Sequence, residues 1–435
     1  MGRILIITYG SRGDVEPYVA LGLGLKASGH QVALATAGRF AGWVRSFGLD
    51  FHTIDDASLD QIDTPAGKTM IEGNRGLMAR GWAAFRLSRG AGAMNSAMMD
   101  DALTAAEAVR PDAIIYHPKG MAGAHIAEAW GIPAFMVTLQ PLIIPTADFA
   151  ASLNVAPLPA LNLLSYRLVG LSYAMFRRTV ARFRVRLGLP PLGSTAEILR
   201  PRGAGLIPVI HPISPSVLPR PADWPPEALL TGYWRLPDDE AFTPSPELEA
   251  FLNAGPPPVF VGFGSMPSSD PAALARLVAQ ALAQAGRRGV VARGWAGLEV
   301  AASDDLIAVP PLPYRWLFPR MAAIVHHGGA GTTAEALHSG APQAIVPFFG
   351  DQPFWGARTA ALGVGAAPIP RRRLTAETLA AAIASADQPQ MHRRASALAS
   401  RLDLEDGVAE AVRYINGRLG RPNAERSRSL QAAGR

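Results

Sequence analysis

The fold of this chain is best read from residues 326–365, HHGGAGTTAEALHSGAPQAIVPFFGDQPFWGARTAALGVG. The apolar run at 323–325 predicts a strand that enters this stretch, and the glycines after it predict a turn. Residues 332–338 have the composition of a helix, which Gly340 and Pro342 bring to an end. The stretch therefore predicts a strand, a glycine turn and a helix, the repeating unit of a parallel α/β sheet.

The glycine turn predicts a binding site for a phosphate or diphosphate. A turn that leads into a helix exposes unpaired backbone N–H groups at the positive end of the helix dipole. A histidine side chain adds a further hydrogen-bond donor beside them. The alternative is a tight turn whose glycines only permit close packing. The residues that we expect around the anion are His327, Gly328, Gly329, Gly331 and Thr332.

A second polar motif, Gly350-Asp351-Gln352-Pro353, follows the next predicted strand, residues 343–346. In a parallel sheet, the carboxyl ends of the strands share one edge, and ligands bind there. A carboxylate beside an amide can hydrogen-bond the hydroxyls of a sugar. The sequence therefore predicts that Asp351 and Gln352 contact a sugar next to the anion site.

Together, HHGGAGTT and PFFGDQPFWG resemble the nucleotide-sugar signature of the GT-B inverting glycosyltransferases. Within the UDP-glycosyltransferase family they are most similar to the sterol glucosyltransferase branch, and plant and bacterial natural-product enzymes share a looser version. The resemblance implies an α/β fold of two Rossmann-like, doubly wound parallel-sheet domains that face each other across a cleft. It implies transfer of a hexose, glucose from UDP-glucose, to a hydroxyl of a hydrophobic acceptor such as a sterol or lipid, giving a β-glycoside.

Two alternatives stay open at this point. The first is a natural-product glycosyltransferase that acts on a macrolide, polyketide or glycopeptide with a UDP- or TDP-activated sugar. The second is a catalytically silent auxiliary protein of the same fold. The resemblance is strong at residues 4–36 and 309–365 and weak at 55–110 and 140–190, and the weak regions would select the acceptor.

The length and composition fit this architecture. A chain of 435 residues suggests two domains, which we place at 1–215 for the acceptor and 246–420 for the nucleotide sugar, with a linker at 216–245 and a disordered tail at 421–435. No apolar run approaches the roughly 20 residues of a spanning helix, and the first strand is too short for a signal peptide. We therefore expect a cytoplasmic protein. The chain has no cysteine and a net charge of +6, without a nucleic-acid-binding motif.

The N-terminal segment predicts a βαβ unit. Strands at 3–8 and 31–36 flank a helix at 15–27, with the turn GSRGD before the helix. GSRGDVEP is similar to the opening motif of the sterol and glycopeptide glycosyltransferases. The resemblance implies that Asp14 is the general base, with Ser11, Arg12 and Gly13 near the sugar-donor diphosphate. The alternative for Asp14 is a residue that caps the helix.

His117 is the predicted partner of this base. It follows the strand at 111–116, and strands one and four of a doubly wound sheet are neighbours. Plant members of the family use a histidine base with an aspartate partner, so the two types would have exchanged places here. The helix N-terminus weakens Asp14 as a base, and His117 would restore its basicity. The alternative for His117 is a local hydrogen-bonding group.

The resemblance implies three further contacts with the sugar nucleotide. Ser265, after the strand at 259–263, would approach the phosphates, and the backbone around Leu312 would hold the uracil edge. Glu335, one turn into the helix after the glycine turn, would bind the ribose. Many glycosyltransferases hold the diphosphate with a metal on an Asp-x-Asp pair, which this chain lacks. We therefore expect no metal and no cofactor other than the nucleotide sugar.

The acceptor region is predicted from apolar composition alone. Residues 57–99 are interrupted by glycines and are expected to pack irregularly, and residues 141–164 are too apolar for a solvated loop. The candidate acceptor contacts are Trp82, Phe85, Met94, Met98 and Phe149. Core packing is the alternative for most of them.

Residues 165–187 predict a helix in which six arginines surround an apolar stripe. Such a helix can lie on an anionic membrane surface. The alternative is a solvated helix face.

Overall fold

Two parallel sheets organise the chain in the computed structural model, which describes residues 1–64, 77–152, 159–237, 242–264, 266, 270–294 and 297–420. The side chains of residues 61–63, 77–91 and 159 lie outside this description. The first sheet has seven strands and the second has five among the described residues. The two doubly wound α/β domains predicted from the sequence are confirmed.

The strands of the first sheet follow the order β3-β2-β1-β4-β5-β6-β7. They are β1 Arg3–Ile7, β2 Gln31–Ala37, β3 Asp50–Ile54, β4 Ala113–Tyr116, β5 Ala134–Val137, β6 Val209–His211 and β7 Ala228–Leu230, all paired in parallel. The central strand β1 lies between β2 and β4, as the sequence predicted. The edge between β1 and β4 is the switch point of the sheet, where ligands bind in such folds.

The strand β1 shows why this sheet is buried on both faces. Ile4 and Ile6 pack into the core on one side, and Leu5 and Ile7 pack into the core on the other. All four side chains are fully buried. A central parallel strand covered by helices on both sides needs this continuous apolar sequence.

Seven helices surround this sheet in the described residues. They are α1 Arg12–Ala27, α2 Ala41–Ser46, α3 Ala57–Asp63, α4 Leu77–Val109, α5 Ala122–Trp130, α6 Asn162–Ser172 and α7 Arg177–Arg186. The irregular packing predicted for residues 57–99 is wrong from residue 77 onward, because α4 is one continuous helix of 33 residues. Its alanine, leucine, methionine and arginine content outweighs its glycines, each of which costs about 1 kcal/mol relative to alanine.

The single helix predicted at residues 165–187 is also corrected. A 3-10 turn at Tyr173–Phe176 separates α6 from α7. The break lets Tyr173 line a cavity beside β4 while Val180 and Phe183 of α7 enter the core. A straight helix could not present these side chains in both directions.

The second sheet follows the order β10-β9-β8-β11-β12. Its strands are β8 Val259–Gly262, β9 Gly289–Ala292, β10 Leu306–Val309, β11 Ala323–His326 and β12 Gln343–Ile345. The helices of this half are α8 Pro246–Asn253, α9 Pro271–Gln284, α10 Tyr314–Leu317, α11 Ala330–His338, α12 Gln352–Ala361, α13 Ala376–Ala386, α14 Pro389–Leu402 and α15 Gly407–Leu419. The predicted strand, turn and helix around residues 326–338 are β11 and α11.

The connection between the halves is tighter than a free linker. Strand β7 lies inside the range expected to be linker, yet it pairs with β6 in the first sheet. The last helix, α15, packs on α1, and Ala411, Val412 and Ile415 share a core with Leu21 and Leu25. No described helix is long and apolar enough to cross a membrane.

Candidate functional site

Asp14 lies at the start of α1, at the carboxyl edge of β1. The backbone N–H of Ser11 donates to Asp14 Oδ2 over 2.8 Å, and the Ser11 hydroxyl lies 3.1 Å from the same oxygen. Gly10 makes this turn possible, because its φ is 146° and a Cβ there would lie 2.2 Å from Asp14 Oδ2. Asp14 therefore has the helix-capping contacts of the alternative interpretation, and they use only one of its two carboxylate oxygens.

Lys119, which the sequence analysis did not select, is the charged neighbour of Asp14. Its Nζ lies 3.4 Å from Asp14 Oδ2. Burial raises the pKa of Asp14, but Lys119 above all, with His117 and Ser11, outweighs burial and holds that pKa below its ordinary value. No motif marks Lys119. The available signal was its place, two residues after His117 at the end of β4, where it reaches the same sheet edge.

His117 lies beside this pair but does not hydrogen-bond to Asp14 in the described part of the chain. Its Nδ1 accepts from the backbone N–H of Lys119 over 3.1 Å, and its ring meets the edge of Tyr18 at 6.1 Å. Burial and then Lys119 lower the pKa of His117 to about 3, although Asp14 acts in the opposite direction. The ring is therefore neutral at neutral pH. The local hydrogen-bonding role is observed, and the dyad stays a prediction.

A cavity of about 120 Å³ opens in front of this carboxylate. Its polar wall includes Asp14 and Gln140, and its apolar wall includes Leu142, Ile143 and Tyr173. Asp14 Oδ2 receives the contacts from Ser11 and Lys119, whereas Oδ1 has no partner among the described residues. The arrangement can accept a proton on Oδ1 from a hydroxyl group carried on an apolar molecule.

The two histidines of the glycine turn have different roles. His326 Nε2 lies 2.8 Å from Gln343 Oε1, and its Nδ1 accepts from the N–H of Gly328 over 3.1 Å. Both ring nitrogens of His326 are thus used to shape the turn. Gly328 has a φ of 88°, and a Cβ on it would lie 2.7 Å from Ile345, so only glycine fits there.

His327 is the histidine that has an unpaired ring nitrogen. Its side chain is buried, and its Nδ1 has no hydrogen-bond partner among the described residues. The ring lies against Gly329, where a Cβ would be 2.5 Å from His327 Nε2, and against Gly264. Burial and then His326 lower the pKa of His327 to about 3, so the ring is neutral. It can donate one hydrogen bond to an anion without carrying charge.

The N-terminus of α11 lies next to His327. Gly329 is the residue before the helix, and no side chain caps the first turn. Gly331 is exposed, with no atom within 4 Å of an added Cβ, and Thr332 is half-buried. The first backbone N–H groups of α11 therefore face open space, as an anion site requires.

Asp351 lies at the start of α12 in the second domain. Its Oδ2 accepts from the indole N–H of Trp355 over 2.7 Å. The pKa of Asp351 is raised to about 6, above all by burial and to a lesser degree by the charge of Asp14, although the Trp355 hydrogen bond acts in the opposite direction. The charge of Asp14 thus reaches Asp351 across the two domains.

Gln352 and Glu335 already have protein partners. Gln352 Oε1 accepts from the N–H groups of Phe348 and Phe349, over 2.7 and 3.1 Å. Glu335 accepts two hydrogen bonds from Arg235, over 3.1 and 3.0 Å. These contacts hold the loop before α12 and the end of the linker, so a sugar hydroxyl at either residue would join or replace them.

The remaining predicted positions divide into three groups. Arg12 is exposed and contacts Glu16 over 2.9 Å. Leu312 is half-buried before α10, and the exposed Gly13 lies in the first turn of α1. Ser265 lies outside the described residues, as do the side chains of Trp82 and Phe85.

The predicted acceptor side chains that the structure describes, Met94, Met98 and Phe149, have different surroundings. Met98 packs on the first-domain core and lines a small cavity with Lys119, and Met94 is half-buried. Phe149 stacks edge-on against Phe354 of the second domain at 5.5 Å. Core packing, the alternative interpretation, therefore describes Met98. The cavity in front of Asp14 is lined instead by residues after β4, by the segment after β5 and by Tyr173 of the 3-10 turn.

The two parallel-sheet domains, with a carboxylate at the end of β1 and an uncapped helix after β11, define a GT-B glycosyltransferase. Residues 4–145 match the glycosyltransferase family 28 N-terminal domain, and residues 297–410 match the C-terminal domain of erythromycin biosynthesis protein CIII-like proteins. The chain belongs to the glycosyltransferase family that includes the sterol glucosyltransferases and the antibiotic glycosyltransferases.

Three relatives show how similar the chain is to members of this family. A sterol 3-beta-glucosyltransferase of Arabidopsis thaliana is 36% identical over 94% of this chain and 67% of its own length. The O-mycaminosyltylonolide 6-deoxyallosyltransferase of Streptomyces fradiae is 35% identical over 95% of this chain and 96% of its own. The chain spans only 30% of the sterol 3-beta-glucosyltransferase of Emericella nidulans, with 34% identity.

Solved structures show the same fold. The glycosyltransferase of kitacinnamycin superposes with a TM-score of 0.69 at 20% identity, covering 95% of this chain and 98% of that one. A calicheamicin glycosyltransferase has the same TM-score and identity and covers 97% of this chain and 99% of its own.

Proposed function

We propose that the protein transfers a hexose from a nucleotide diphosphate sugar to a hydroxyl of a hydrophobic acceptor, with inversion at the anomeric carbon. The observation that carries the proposal is the carboxylate of Asp14, which is anchored through Oδ2, has no partner on Oδ1 among the described residues, and lines a cavity with an apolar wall. UDP-glucose is the sugar donor to test first, and a sterol or other lipid is the acceptor to test first.

The diphosphate would bind at the start of α11. The uncapped N–H groups there and the neutral ring of His327 supply hydrogen bonds to the leaving phosphate as its charge develops. Asp351 would accept a hydrogen bond from a sugar hydroxyl on the opposite side of the cleft. Ser265, Leu312 and Glu335 complete the nucleotide contacts that the family resemblance implies.

The transfer would be a single displacement. The acceptor hydroxyl gives its proton to Asp14 Oδ1 while its oxygen forms a bond to the anomeric carbon. The bond from that carbon to the diphosphate oxygen breaks on the opposite face, and the electron pair leaves with the diphosphate. An α-linked sugar donor therefore gives a β-glycoside.

A natural-product acceptor with a TDP-activated sugar is the second candidate. It is supported by the Streptomyces fradiae relative, which is 35% identical to this chain, against 36% for the plant sterol enzyme. The apolar wall of the cavity suits either acceptor. A catalytically silent role is disfavoured because Asp14, His327 and Asp351 are all present.

The function can be tested with radiolabelled UDP-glucose and TDP-glucose against a panel of sterols and polyketide aglycones. Asp14→Asn should lower turnover at least about 100-fold, the usual effect of removing a general base, and should leave the calorimetric affinity for the nucleotide unchanged. Asp50→Asn, an exposed aspartate at the start of β3, is the matched control. Near-normal turnover in Asp14→Asn would remove Asp14 from the mechanism.

We also propose that α6 and α7 contact an anionic membrane. Seven of the ten exposed large apolar side chains in the described part of the chain lie between residues 161 and 185: Leu161, Leu163, Leu164, Leu168, Leu171, Met175 and Val185. No acidic residue occurs from 162 to 187. Arg167, Arg178 and Arg182 are exposed, without a partner among the described residues. Apolar insertion beside unpaired arginines suits an anionic bilayer.

This surface adjoins the acceptor cavity through Tyr173, which lies in the 3-10 turn between the two helices. Docking there would bring a lipid acceptor close to Asp14. Sedimentation with anionic vesicles tests the contact, and Leu168→Ser with Leu171→Ser should abolish it, whereas the exposed Leu404→Ser in the second domain should not. Binding to neutral vesicles alone, or a concentration-dependent dimer in place of vesicle binding, would contradict the proposal.

A further inference from the structure

Lys119 is a charged residue in the candidate site to which the proposed reaction gives no task. Its ammonium nitrogen lies 3.4 Å from Asp14 Oδ2, and about half of its side chain is exposed. It lines both the cavity in front of Asp14 and the smaller cavity beside Met98. An exposed lysine elsewhere on the surface would sample many rotamers, but this one has a carboxylate within reach.

The backbone of Lys119 is held in place from two sides. Its N–H donates to His117 Nδ1 over 3.1 Å. The next residue, Gly120, packs so closely on the end of β1 that an added Cβ would lie 2.7 Å from Ile7 Cγ2 and 3.0 Å from the Ile7 carbonyl oxygen. The sheet therefore fixes the origin of the lysine side chain relative to the start of α1.

We propose that Lys119 is a positioning residue for the base, an inference that rests on the proposed function of Asp14. Lys119 and Ser11 together fill the hydrogen-bonding sites of Oδ2. The carboxylate is thereby prevented from rotating, and Oδ1 is the oxygen that meets the acceptor hydroxyl.

The same contact keeps the carboxylate ionised before the acceptor arrives. An opposite charge within about 4 Å favours the charged form of a carboxyl group. When Asp14 takes the proton, the attraction to Lys119 is lost, and the half-exposed ammonium can turn to solvent. Lys119 thus acts through Asp14 and gives up no proton itself.

The other ionisable groups that face Asp14 are His117, Tyr18 and Asp351. Burial keeps His117 neutral with a pKa of about 3, and burial raises the pKa of Tyr18 well above its ordinary value. Neither changes charge between pH 5 and 9. Asp351, with a pKa of about 6, does titrate in this range. The informative quantity is therefore the difference between a Lys119 variant and the unaltered protein.

The experiment measures kcat/KM between pH 3.5 and 9 for Lys119→Met and Lys119→Arg, because the pKa of Asp14 lies below its ordinary value. Lys119→Met should lower kcat about 10-fold, as expected for a base that has lost its orientation, with the KM for the nucleotide sugar unchanged. The acid limb of its profile of kcat/KM against pH should shift to higher pH by about one unit, because removal of the positive charge raises the pKa of Asp14. Lys119→Arg should restore the position of the limb. Slow hydrolysis of the sugar donor, in which water replaces the acceptor, supplies the same readout when the acceptor is unknown.

Two controls distinguish a failure of this inference from a failure of the proposed base. Lys26→Met removes an equal charge from the far end of α1 and should leave the acid limb in place. In an Asp14→Asn background, Lys119→Met should have no further effect, since the two residues act as one unit. An unchanged acid limb in Lys119→Met, or an equal further loss in the Asp14→Asn background, overturns the positioning role. If Asp14→Asn itself kept full turnover, the proposed base would be wrong and this inference with it.

Discussion

His327 shows how burial selects the chemical form of a residue in the candidate site. Removing the ring from water disfavours the imidazolium, and the neighbouring His326 acts in the same direction, so the pKa falls to about 3. The neutral ring offers a hydrogen bond from a fixed position against Gly264 and Gly329. A preorganised neutral donor stabilises developing charge without reorganisation during the reaction.

We predict that His327→Ala weakens UDP binding about 10-fold, because it removes a hydrogen bond to a charged group, worth about 1.5–3 kcal/mol. The loss should be the same at pH 5.5 and pH 8, since a group with a pKa of about 3 is neutral at both. Calorimetric titration at the two pH values measures it. His327→Gln, which keeps an N–H donor, is the comparison. Unchanged affinity in His327→Ala would remove the ring from the diphosphate site.

The sequence alone could identify Asp14 and His327 as site residues, but it could not identify the roles of the residues around them. His326 and His327 are adjacent and chemically identical, and only their contacts separate the one that shapes the turn from the one with a free nitrogen. Lys119 was missed because its role depends on a distance between β4 and α1, which no spacing along the chain reveals. Arg12 has a local helix contact with Glu16, and its place near the phosphates stays a prediction.

At the scale of elements, a buried ion pair fixes α7 on the first domain. Arg184 makes two contacts with Glu128 of α5, and its NH1 lies 2.9 Å from His125 Nδ1. His125 Nε2 lies 3.0 Å from the carbonyl oxygen of Ile198. All three charged or polar side chains are buried. The position of α7 sets that of the 3-10 turn, and so that of Tyr173 in the acceptor cavity.

We predict that Arg184→Met destabilises the first domain by about 3 kcal/mol, because it leaves Glu128 buried without a countercharge. Arg182→Met removes an exposed arginine from the same helix and should change stability by less than about 0.5 kcal/mol. Denaturant unfolding compares the two variants. If Arg184→Met is purified folded, it should raise the acceptor KM more than the nucleotide-sugar KM. Equal stability of the two variants would contradict the structural role of the pair.

The helices around the acceptor region show why elements were harder to predict there than near the nucleotide. The units β1–α1 and β11–α11 were predicted well because glycine turns and apolar strands mark their ends in the sequence. Helix α4 has glycines inside it, and α6 and α7 are separated where neither glycine nor proline stands. In both cases packing against the sheet and the cavity determines the backbone conformation. This packing cannot be predicted from the local sequence.

At the scale of the whole molecule, the site combines groups from both domains without a cluster of metal ligands. Among the described residues, no group of three or more histidine, aspartate or glutamate side chains is placed to hold an ion. The N-terminus of α11 and His327 offer positive potential and hydrogen bonds to a leaving diphosphate.

We predict that chelation with EDTA leaves most of the transferase activity, since this helix terminus can stabilise the developing charge. The assay compares treated and untreated enzyme in metal-free buffer. Activity that is lost with EDTA and returns with magnesium or manganese would mean that the diphosphate site described here is incomplete.

The two domains are also joined by the return of α15 to α1, which limits how far the cleft can open. His30 Nε2 lies 2.7 Å from Asn416 Oδ1, and Val408 and Val412 lie over Gly24 of α1. A Cβ on Gly24 would be 2.4 Å from Val408 Cγ1 and 3.2 Å from Val412 Cγ2. The helices therefore approach closely because this position lacks a side chain.

We predict that Gly24→Ala lowers the melting temperature, because overpacking costs about 1–3 kcal/mol and exceeds the gain of up to about 1 kcal/mol in helix propensity. Gly417→Ala is the matched control in α15, since nothing lies within 4 Å of its added Cβ. It should raise the melting temperature through propensity alone. Thermal unfolding of both variants, with nucleotide-sugar KM measured alongside, separates the effects. A melting temperature of Gly24→Ala at or above that of the unaltered protein would show that α15 is not held this closely on α1. The coupling between the domains would then depend on the linker and its contacts with Glu335.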